Sequence, residues 1–159
     1  MDGTRGKMFV AGSWQAVSGG VLSVVDPATG EPWAEIGRGS AQDVDQAVAS
    51  AQEALAGPWG RTPPAQRGAV LLRISQLIRE NQQELSALES RNTGKPKGQA
   101  EADITACARY FEFYAGAADK VHGETIPYDP AFLVAVVREP HGVTGHILPW
   151  NYPAQMMGR

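Results

Sequence analysis

The sequence predicts an α/β fold, and three observations along its 159 residues support this class. Short β-rich runs, separated by glycine and proline turns, occupy the first forty residues. Apolar residues then recur with helical spacing between positions 40 and 118. β-branched runs return after position 130, and the last of them leads through a loop into a new helix. A strand followed by a loop and a helix is half of a β–α–β unit.

The first forty residues are predicted to form a small β ribbon or meander. The runs MFVAGSW and VLSVVD have the composition of strands, and SGG separates them. The next segment, DPATGEP, has proline and glycine in turn positions, and WAEI then continues as a strand. The opening residues, MDGTRGKMFV, have neither the apolar region nor the cleavage pattern of a secretory signal.

Three helices are predicted after this ribbon, and the first has the clearest boundaries. It begins with SAQD, a capping-box pattern in which Ser40 is the cap and Asp43 is the acidic third residue. Gly57 and Pro58 end it. Its apolar positions follow helical spacing and are Val44, Ala47, Val48, Ala51, Ala54 and Leu55.

The second and third helices carry longer apolar stripes. The second is predicted to start after Thr62 with Pro63 at its first position, and NTGKP at 92–96 stops it. The third ends near Gly123. The stripe of the second helix contains Val70, Leu71, Ile74, Leu77, Ile78, Leu85 and Leu88, and that of the third contains Ile104, Cys107, Ala108, Phe111, Tyr114, Ala115 and Ala118.

Two strands and a loop are predicted beyond the helices. AFLVAVVRE has the length and β-branched composition of a strand, and HGVTGHIL is a second, shorter run. We expect residues 143–148 to form a core strand of a parallel sheet, because such strands are near-continuously apolar. The loop PWNYP follows, and a helix is predicted to begin at Pro153.

The composition excludes several classes of function. The net charge is −3, and lysine and arginine are scattered, so neither a nucleic-acid surface nor a membrane surface is predicted. No apolar run approaches the ~20 residues that span a bilayer. A single cysteine cannot form an internal disulfide, so the expected setting is reducing and cytoplasmic.

Several apparent motifs are better explained as structure. Cys107 lies on the apolar stripe of a helix, which favours a core residue over a reactive thiolate. GRGSAQ at 37–42 lacks the third glycine of a dinucleotide loop, and TGKP at 93–96 lacks the residues of a phosphate loop, so it is a helix stop. The histidines have no metal-ligand spacing, and no metal is predicted; they are His122, His141 and His146.

The loop PWNYP leaves two interpretations open. Pro149 and Pro153 fix the backbone at two positions, and a rigid aromatic loop with an asparagine is commonly structural. The functional alternative is that the loop lies at the carboxyl end of a strand, where α/β sheets bind ligands. Asn151 would then offer N–H donors beside a helix N-terminus, which suits a developing negative charge.

The segment EPHGVTGHILPWNYPAQMMGR resembles the signature of NAD(P)-dependent aldehyde dehydrogenases. Upstream segments agree in order and extend the resemblance over nearly the whole chain from Met8; they are VVDPATGEPWAEI, DVDQAVASAQEAL, PWGRTPPAQRGAVLLRISQLI, LSALESRNTGKP and RYFEFYAGAADKVHGETIP. The resemblance implies the N-terminal part of a Rossmann-type cofactor-binding domain, with the β ribbon and three helices in residues 1–123. It places a hairpin of the oligomerisation region at 124–141, and the first strand and loop of the cofactor sheet at 142–159.

The resemblance also implies roles for the loop. Asn151 matches the asparagine that helps to form the family's oxyanion hole. Ile147, Leu148, Pro149 and Trp150 match the strand-end residues that line the cleft for NAD or NADP. In the family, a cysteine thiolate attacks the aldehyde, hydride passes to the nicotinamide, and a glutamate activates water to release the acid. A homo-oligomer is expected of the complete protein.

The departure from the family pattern is large. No residue here matches the family's nucleophilic cysteine, general-base glutamate or ribose-binding lysine, which lie beyond Arg159 in family members. The second glycine-containing cofactor loop is not matched either. The chain is therefore expected to be inactive alone. Two alternatives stay open: a non-catalytic assembly or binding module derived from the family, and a structural remnant with no role.

Overall fold

The computed structural model describes residues 6–159, so the first five residues of the predicted 1–123 unit lie outside it. Its amino-terminal part, predicted as a small β ribbon or meander, consists of two antiparallel hairpins that form separate two-stranded sheets. The strands are β1 (Lys7–Val10) and β2 (Ser13–Ala16), then β3 (Val21–Val25) and β4 (Pro32–Gly37). The run MFVAGSW was predicted as one strand-like segment, and this is wrong because it folds back on itself. Ala11 and Gly12 have φ of 52° and 76°, and two such residues form the tight turn that hairpins favour.

Helix α1 (Ala41–Ala56) begins and ends where the sequence predicts. The hydroxyl of Ser40 accepts a hydrogen bond from the backbone N–H of Asp43, and the Asp43 carboxylate accepts one from the backbone N–H of Ser40. This reciprocal pair confirms the capping box. A short 3₁₀ turn at Trp59–Arg61 follows the helix.

The predicted second helix is in fact two helices, α2 (Pro64–Glu80) and α3 (Gln82–Thr93), and α2 starts at Pro64 instead of Pro63. The break is at Asn81, whose φ of −107° and ψ of 17° leave the helical region. Its side-chain amide donates to the carbonyl of Leu77 at 2.8 Å. Asparagine side chains compete in this way with the regular backbone ladder, which explains the interruption. Gly94, with φ of 75°, ends α3 as predicted.

Helix α4 (Lys97–Ala117) is the longest and packs against α2, α3 and the last helix of the chain. It ends six residues before the predicted end at Gly123, because the chain turns at Ala118 and Asp119 toward the next hairpin. The buried cluster at its centre consists of Ile78, Ile104, Cys107 and Ala108, with Ile74, Leu85, Phe111 and Ala154 packed around it. The hydroxyl of Ser75 donates to the carbonyl of Ala108 at 2.7 Å inside this interface.

The carboxyl-terminal part contains one more hairpin and one short helix. Strands β5 (Glu124–Ile126) and β6 (Val134–Val136) pair antiparallel, and α5 (Pro153–Gly158) begins at the predicted proline. The strand run AFLVAVVRE is therefore shortened to three residues. The division of the chain at 123 and 141 into separate units remains a prediction.

Residues 143–148, predicted to be the first strand of the cofactor sheet, form no strand within this chain, and their place in such a sheet remains a prediction. Residues 137–149 contain no strand, and Ile147 is fully exposed. A strand must exchange N–H and C=O hydrogen bonds with a neighbour, and none of the described strands lies beside this run. None of the helices between residues 6 and 159 combines the length and hydropathy that crossing a membrane requires.

Candidate functional site

The candidate site is the loop of residues 147–152, which leads into α5. Its side chains are largely open to solvent: Ile147 is fully exposed, Trp150 is 80% exposed, and Asn151 is also exposed. Tyr152 precedes α5 as its cap residue, with φ of −139° and ψ of 51°, and Pro153 occupies the first turn. The predicted site residues are therefore neighbours on one open segment, and their side chains are exposed.

The backbone of this open segment is attached to a buried charge. The ammonium of Lys95 donates to the backbone carbonyl of Asn151 at 2.9 Å. The same nitrogen lies 2.6 Å from a carboxylate oxygen of Asp103 and 2.9 Å from one of Glu89. A lysine ammonium has three N–H donors, and these three acceptors use all of them. We name Glu89, Lys95 and Asp103 the lysine cluster.

The lysine cluster is shielded from solvent. The exposed fraction of the side chain is 8% for Lys95, 5% for Glu89 and 8% for Asp103. Charges this far removed from water are normally paired and hydrogen-bonded, as these are. The aromatic ring of Tyr152 closes one side, with the Lys95 nitrogen 4.4 Å from the ring centroid.

The turn between α3 and α4 positions the ammonium. Glu89 lies in the last part of α3, Gly94 reverses the chain, and Asp103 follows in α4. Two further hydrogen bonds fix the turn, one from the Thr93 hydroxyl to the Glu89 carbonyl and one from the Ser90 hydroxyl to the Lys95 carbonyl, both at 2.7 Å. The side chain of Lys95 is thus held between α3 and α4, and its ammonium also contacts the loop.

The pKa of Lys95 reflects two opposing effects. Burial lowers it, because the charged form loses hydration. The hydrogen bonds to Asp103 and Glu89, together with their negative charges, outweigh burial, so the pKa of Lys95 is raised above its ordinary value. The side chain is therefore a permanent cation at neutral pH, and its bond to the Asn151 carbonyl is charge-assisted.

The far end of the loop is held by α5. Ala154 packs on the core cluster, and the side-chain amide of Gln99 donates to the Tyr152 hydroxyl at 3.2 Å. Gly158 is buried against α4, where an added Cβ would lie 3.0 Å from the carbonyl oxygen of Cys107. The loop is therefore anchored both at Asn151 and through α5.

Cys107 is a core residue, as the sequence predicts. It is 1% exposed. Burial and the nearby charge of Glu89 raise the pKa of its thiol, and a backbone hydrogen bond from Gly158 only partly opposes them. A thiol with a raised pKa and no solvent contact is a poor nucleophile.

Sequence reasoning found the loop but missed the lysine cluster. TGKP was interpreted only as a helix stop, and Gly94 does fulfil that role. The available signal was a lysine directly after the turn, with a carboxylate in the preceding helix and another in the following one. Within residues 6–159, no group of three His, Cys, Asp or Glu side chains is placed to hold a metal ion.

The side chains of the loop before Asn151 are mostly apolar and open to solvent. Ile147 and Trp150 present exposed apolar surface of the kind that packs against a flat heterocyclic ring. Residues 147–150 carry no charged side chain, and the indole N–H of Trp150 is their one side-chain hydrogen-bond donor. Exposed apolar surface with a single N–H donor is therefore what this segment offers to a ligand.

Comparison with known proteins places this geometry in context. A model of the aldehyde dehydrogenase family matches residues 14–159. The chain is 41% identical over 155 residues to the mitochondrial benzaldehyde dehydrogenase of Antirrhinum majus, covering 96% of this chain and 29% of that protein. Curated relatives are therefore matched over about a third of their length or less.

Solved structures agree with the sequence matches. A Burkholderia cenocepacia protein described as an aldehyde dehydrogenase superposes with a TM-score of 0.93 at 56% identity, covering 95% of this chain and 32% of that one. The NAD+ complex of an aldehyde dehydrogenase from Bacillus cereus gives a TM-score of 0.93 at 35% identity, with 97% and 32% covered. The predicted α/β class is confirmed by these superpositions.

Proposed function

The chain belongs to the aldehyde dehydrogenase family, and on that basis we propose that it is the N-terminal part of an enzyme that oxidises an aldehyde to a carboxylic acid with NAD or NADP. The observation that carries the proposal is the fixed backbone of Asn151, held at 2.9 Å by the buried ammonium of Lys95 at the entry to α5. A side-chain amide on an anchored backbone is suited to stabilise charge that develops on a substrate oxygen.

The proposed role of Asn151 is to donate a hydrogen bond to that oxygen in the complete enzyme. A cysteine thiolate supplied by another part of the protein adds to the aldehyde carbon, and the carbonyl electron pair moves to the oxygen. The oxygen then carries more charge than in the bound aldehyde, so the hydrogen bond from Asn151 is stronger in the transition state. The bound dinucleotide supplies the hydride acceptor.

We propose that the four residues before Asn151 line the cleft for the nicotinamide cofactor. The exposed apolar side chains of Ile147 and Trp150 support this role, with Leu148 and Pro149 between them. NAD+ is present in the structure of the Bacillus cereus relative, which supports NAD as the first cofactor to assay.

The 159 residues alone are proposed to be catalytically inactive. Covalent aldehyde oxidation needs a reactive thiolate, and Cys107 is the one cysteine of the chain. Its burial and raised pKa argue against that role. A free, buried thiol also supports the proposed cytoplasmic setting, although relatives from plants carry mitochondrial names.

A second candidate function is assembly, and the β5–β6 hairpin favours it. Large apolar side chains of this hairpin and its loop are exposed, among them Ile126, Tyr128, Phe132 and Leu133. An exposed apolar patch of this kind marks an association surface. Homo-oligomerisation through residues 124–141 is therefore proposed. Sedimentation of the complete protein with Leu133→Asp should show smaller particles, and an unchanged particle size would reject this surface.

The role of Asn151 is tested by Asn151→Ala in the complete protein that carries this segment. We expect kcat to fall by roughly a hundred- to a thousand-fold, about 2.7–4 kcal/mol, as for other oxyanion donors. KM for the cofactor should change little. Steady-state and single-turnover formation of reduced cofactor are the measurements, and single turnover excludes product release as the limiting step.

Two controls accompany this variant. Asn92→Ala makes the same chemical change at an exposed asparagine of α3, and it should keep the wild-type rate. The 159-residue chain alone serves as the blank and should give no reduced cofactor. If a folded Asn151→Ala protein retains wild-type rates in both assays, Asn151 is only a loop residue.

A further inference from the structure

We propose that Lys95 is a positioning residue for the reaction, which acts by fixing the Asn151 backbone against the paired carboxylates of Glu89 and Asp103. The proposal rests on the oxyanion role of Asn151 and adds a part of the machinery that lies in a different segment. Lys95 and Asn151 are 56 positions apart, yet the ammonium reaches the carbonyl at 2.9 Å. One side chain thus joins the α3–α4 turn to the loop.

The ammonium of Lys95 is held from several directions. The three acceptors of the ammonium come from α3, α4 and the loop, so its position is defined from three sides. The Tyr152 ring, 4.4 Å away, fills a fourth side. The carbonyl carbon and the side chain of Asn151 are both bonded to the same Cα. Fixing the carbonyl therefore restrains the position from which the side chain projects.

A fixed backbone at Asn151 matters because an oxyanion donor must be placed accurately. A donor must meet a developing oxyanion at a specific position, and a displacement of about 1 Å can cost about a hundred-fold in rate. An open loop with exposed side chains cannot hold that position by packing of its own. The charge-assisted bond from a buried ammonium supplies the restraint where packing does not.

The charges of the lysine cluster serve orientation more than stability. Two carboxylates share one ammonium in the shielded site of the lysine cluster. Such buried ionic groups contribute little to net stability, and apolar residues of similar volume often give a protein of equal or higher stability. Their orientation is specific, however, and a positioning role accounts for a costly cluster beneath an otherwise exposed loop.

The test uses Lys95→Met in the complete protein, because methionine retains the length of the side chain and removes all three donors. We expect kcat to fall by about ten- to a hundred-fold with little change in KM for the cofactor. Lys97→Met is the matched control: Lys97 lies two residues further on, its side chain is 66% exposed, and it should keep the wild-type rate. Hydrogen exchange of residues 147–153 should accelerate in Lys95→Met and not in Lys97→Met.

A double-mutant cycle separates positioning from general stabilisation. If Lys95 acts through Asn151, Lys95→Met should have little further effect on kcat in the Asn151→Ala background, because the donor it positions is gone. Independent effects that multiply would reject the proposal while leaving the role of Asn151 intact. No effect of Asn151→Ala alone would instead reject the proposed function itself.

A second variant guards against a failure to fold. Lys95→Met leaves two carboxylates buried without a partner, which can itself unfold the protein. The triple variant Lys95→Met, Glu89→Gln, Asp103→Asn removes all three charges while keeping the side-chain shapes. It should fold and still lose kcat about ten- to a hundred-fold. A folded triple variant with the wild-type rate and wild-type exchange at residues 147–153 would overturn the proposal.

Discussion

The helical core and the segment before α5 contain similar apolar residues, yet they bury them to opposite extents. Ile104 of α4 is 2% exposed, whereas Ile147 is fully exposed. An α-helix satisfies its own backbone hydrogen bonds and then needs only one apolar face covered, which α2 and α3 provide for α4. A strand needs a neighbour for every second backbone group. The run at 143–148 has the composition of a buried strand and no partner among the described residues, so its apolar side chains stay in solvent.

The largest effect expected from this contrast is in hydrogen exchange. Amides in the middle of α4 should be protected about a thousand-fold or more over those of residues 143–148, because opening α4 requires global unfolding while the segment has no bonds to open. Helix α1 should be intermediate, since it forms its own hydrogen bonds but has most of its side chains exposed. Exchange of the isolated chain followed by mass spectrometry measures all three. Equal protection of α4 and residues 143–148 would show that the segment is structured.

A smaller effect is expected from the contact between α2 and α4. Gly68 lies where an added Cβ would stand 2.6 Å from the carbonyl oxygen of Ala115. Gly68→Ala should destabilise the protein by about 1–3 kcal/mol, because the two helices must separate. Gly116→Ala is the matched control, since an added Cβ there meets nothing within 4 Å. It should be neutral or stabilising by up to about 1 kcal/mol, the ordinary preference of a helix for alanine.

Denaturant unfolding of both glycine variants gives the comparison directly. Opposite signs of the change in the free energy of unfolding are expected. A Gly68→Ala protein as stable as the Gly116→Ala protein would mean that the helices α2 and α4 are not held as closely as the structure has them. In that case the helical core would be packed more loosely than the burial of Ile104 indicates.

Features with a clear local motif could be predicted from the sequence, whereas a local break inside a regular apolar pattern and contacts between distant residues could not. The capping box at Ser40 and Asp43 depends on residues three apart, and it was predicted. The helix break at Asn81 was missed because a side chain competes there with a regular apolar stripe. The contact of Lys95 with Asn151 spans 56 positions and has no local signature. The loop itself was found through its resemblance to a family, and composition alone had left its role open.

Asp43 has one hydrogen-bond partner that was predicted from the sequence and one distant partner that was not. Its replacement is expected to have the smallest effect on stability of the changes considered. Its carboxylate accepts hydrogen bonds from the backbone N–H of Ser40 at 2.7 Å, as predicted. It also accepts bonds from the backbone N–H of Ser18 at 3.0 Å and from the Ser18 hydroxyl at 2.9 Å, a contact 25 positions away that was not predicted. These bonds, led by that from the Ser40 backbone, lower the pKa of Asp43 below its ordinary value of 3.8.

The sign of the resulting pH dependence follows from the lowered pKa. Because the folded state binds the proton less tightly than the unfolded state, this contribution to stability is fully present above pH 3.8 and is lost as the pH falls through the lower, folded pKa. Asp43→Asn should therefore melt at a lower temperature than wild type near pH 7, and the two melting curves should converge as the pH falls below the folded pKa of Asp43. Asp45→Asn, two residues further along α1 and exposed, controls for the loss of one acidic charge. The contrary outcome is a difference in melting temperature between wild type and Asp43→Asn that stays constant down to pH 2. It would mean that the amide fails to replace the carboxylate as an acceptor for reasons of shape. The charge of Asp43 would then not stabilise the join between the first hairpin and α1.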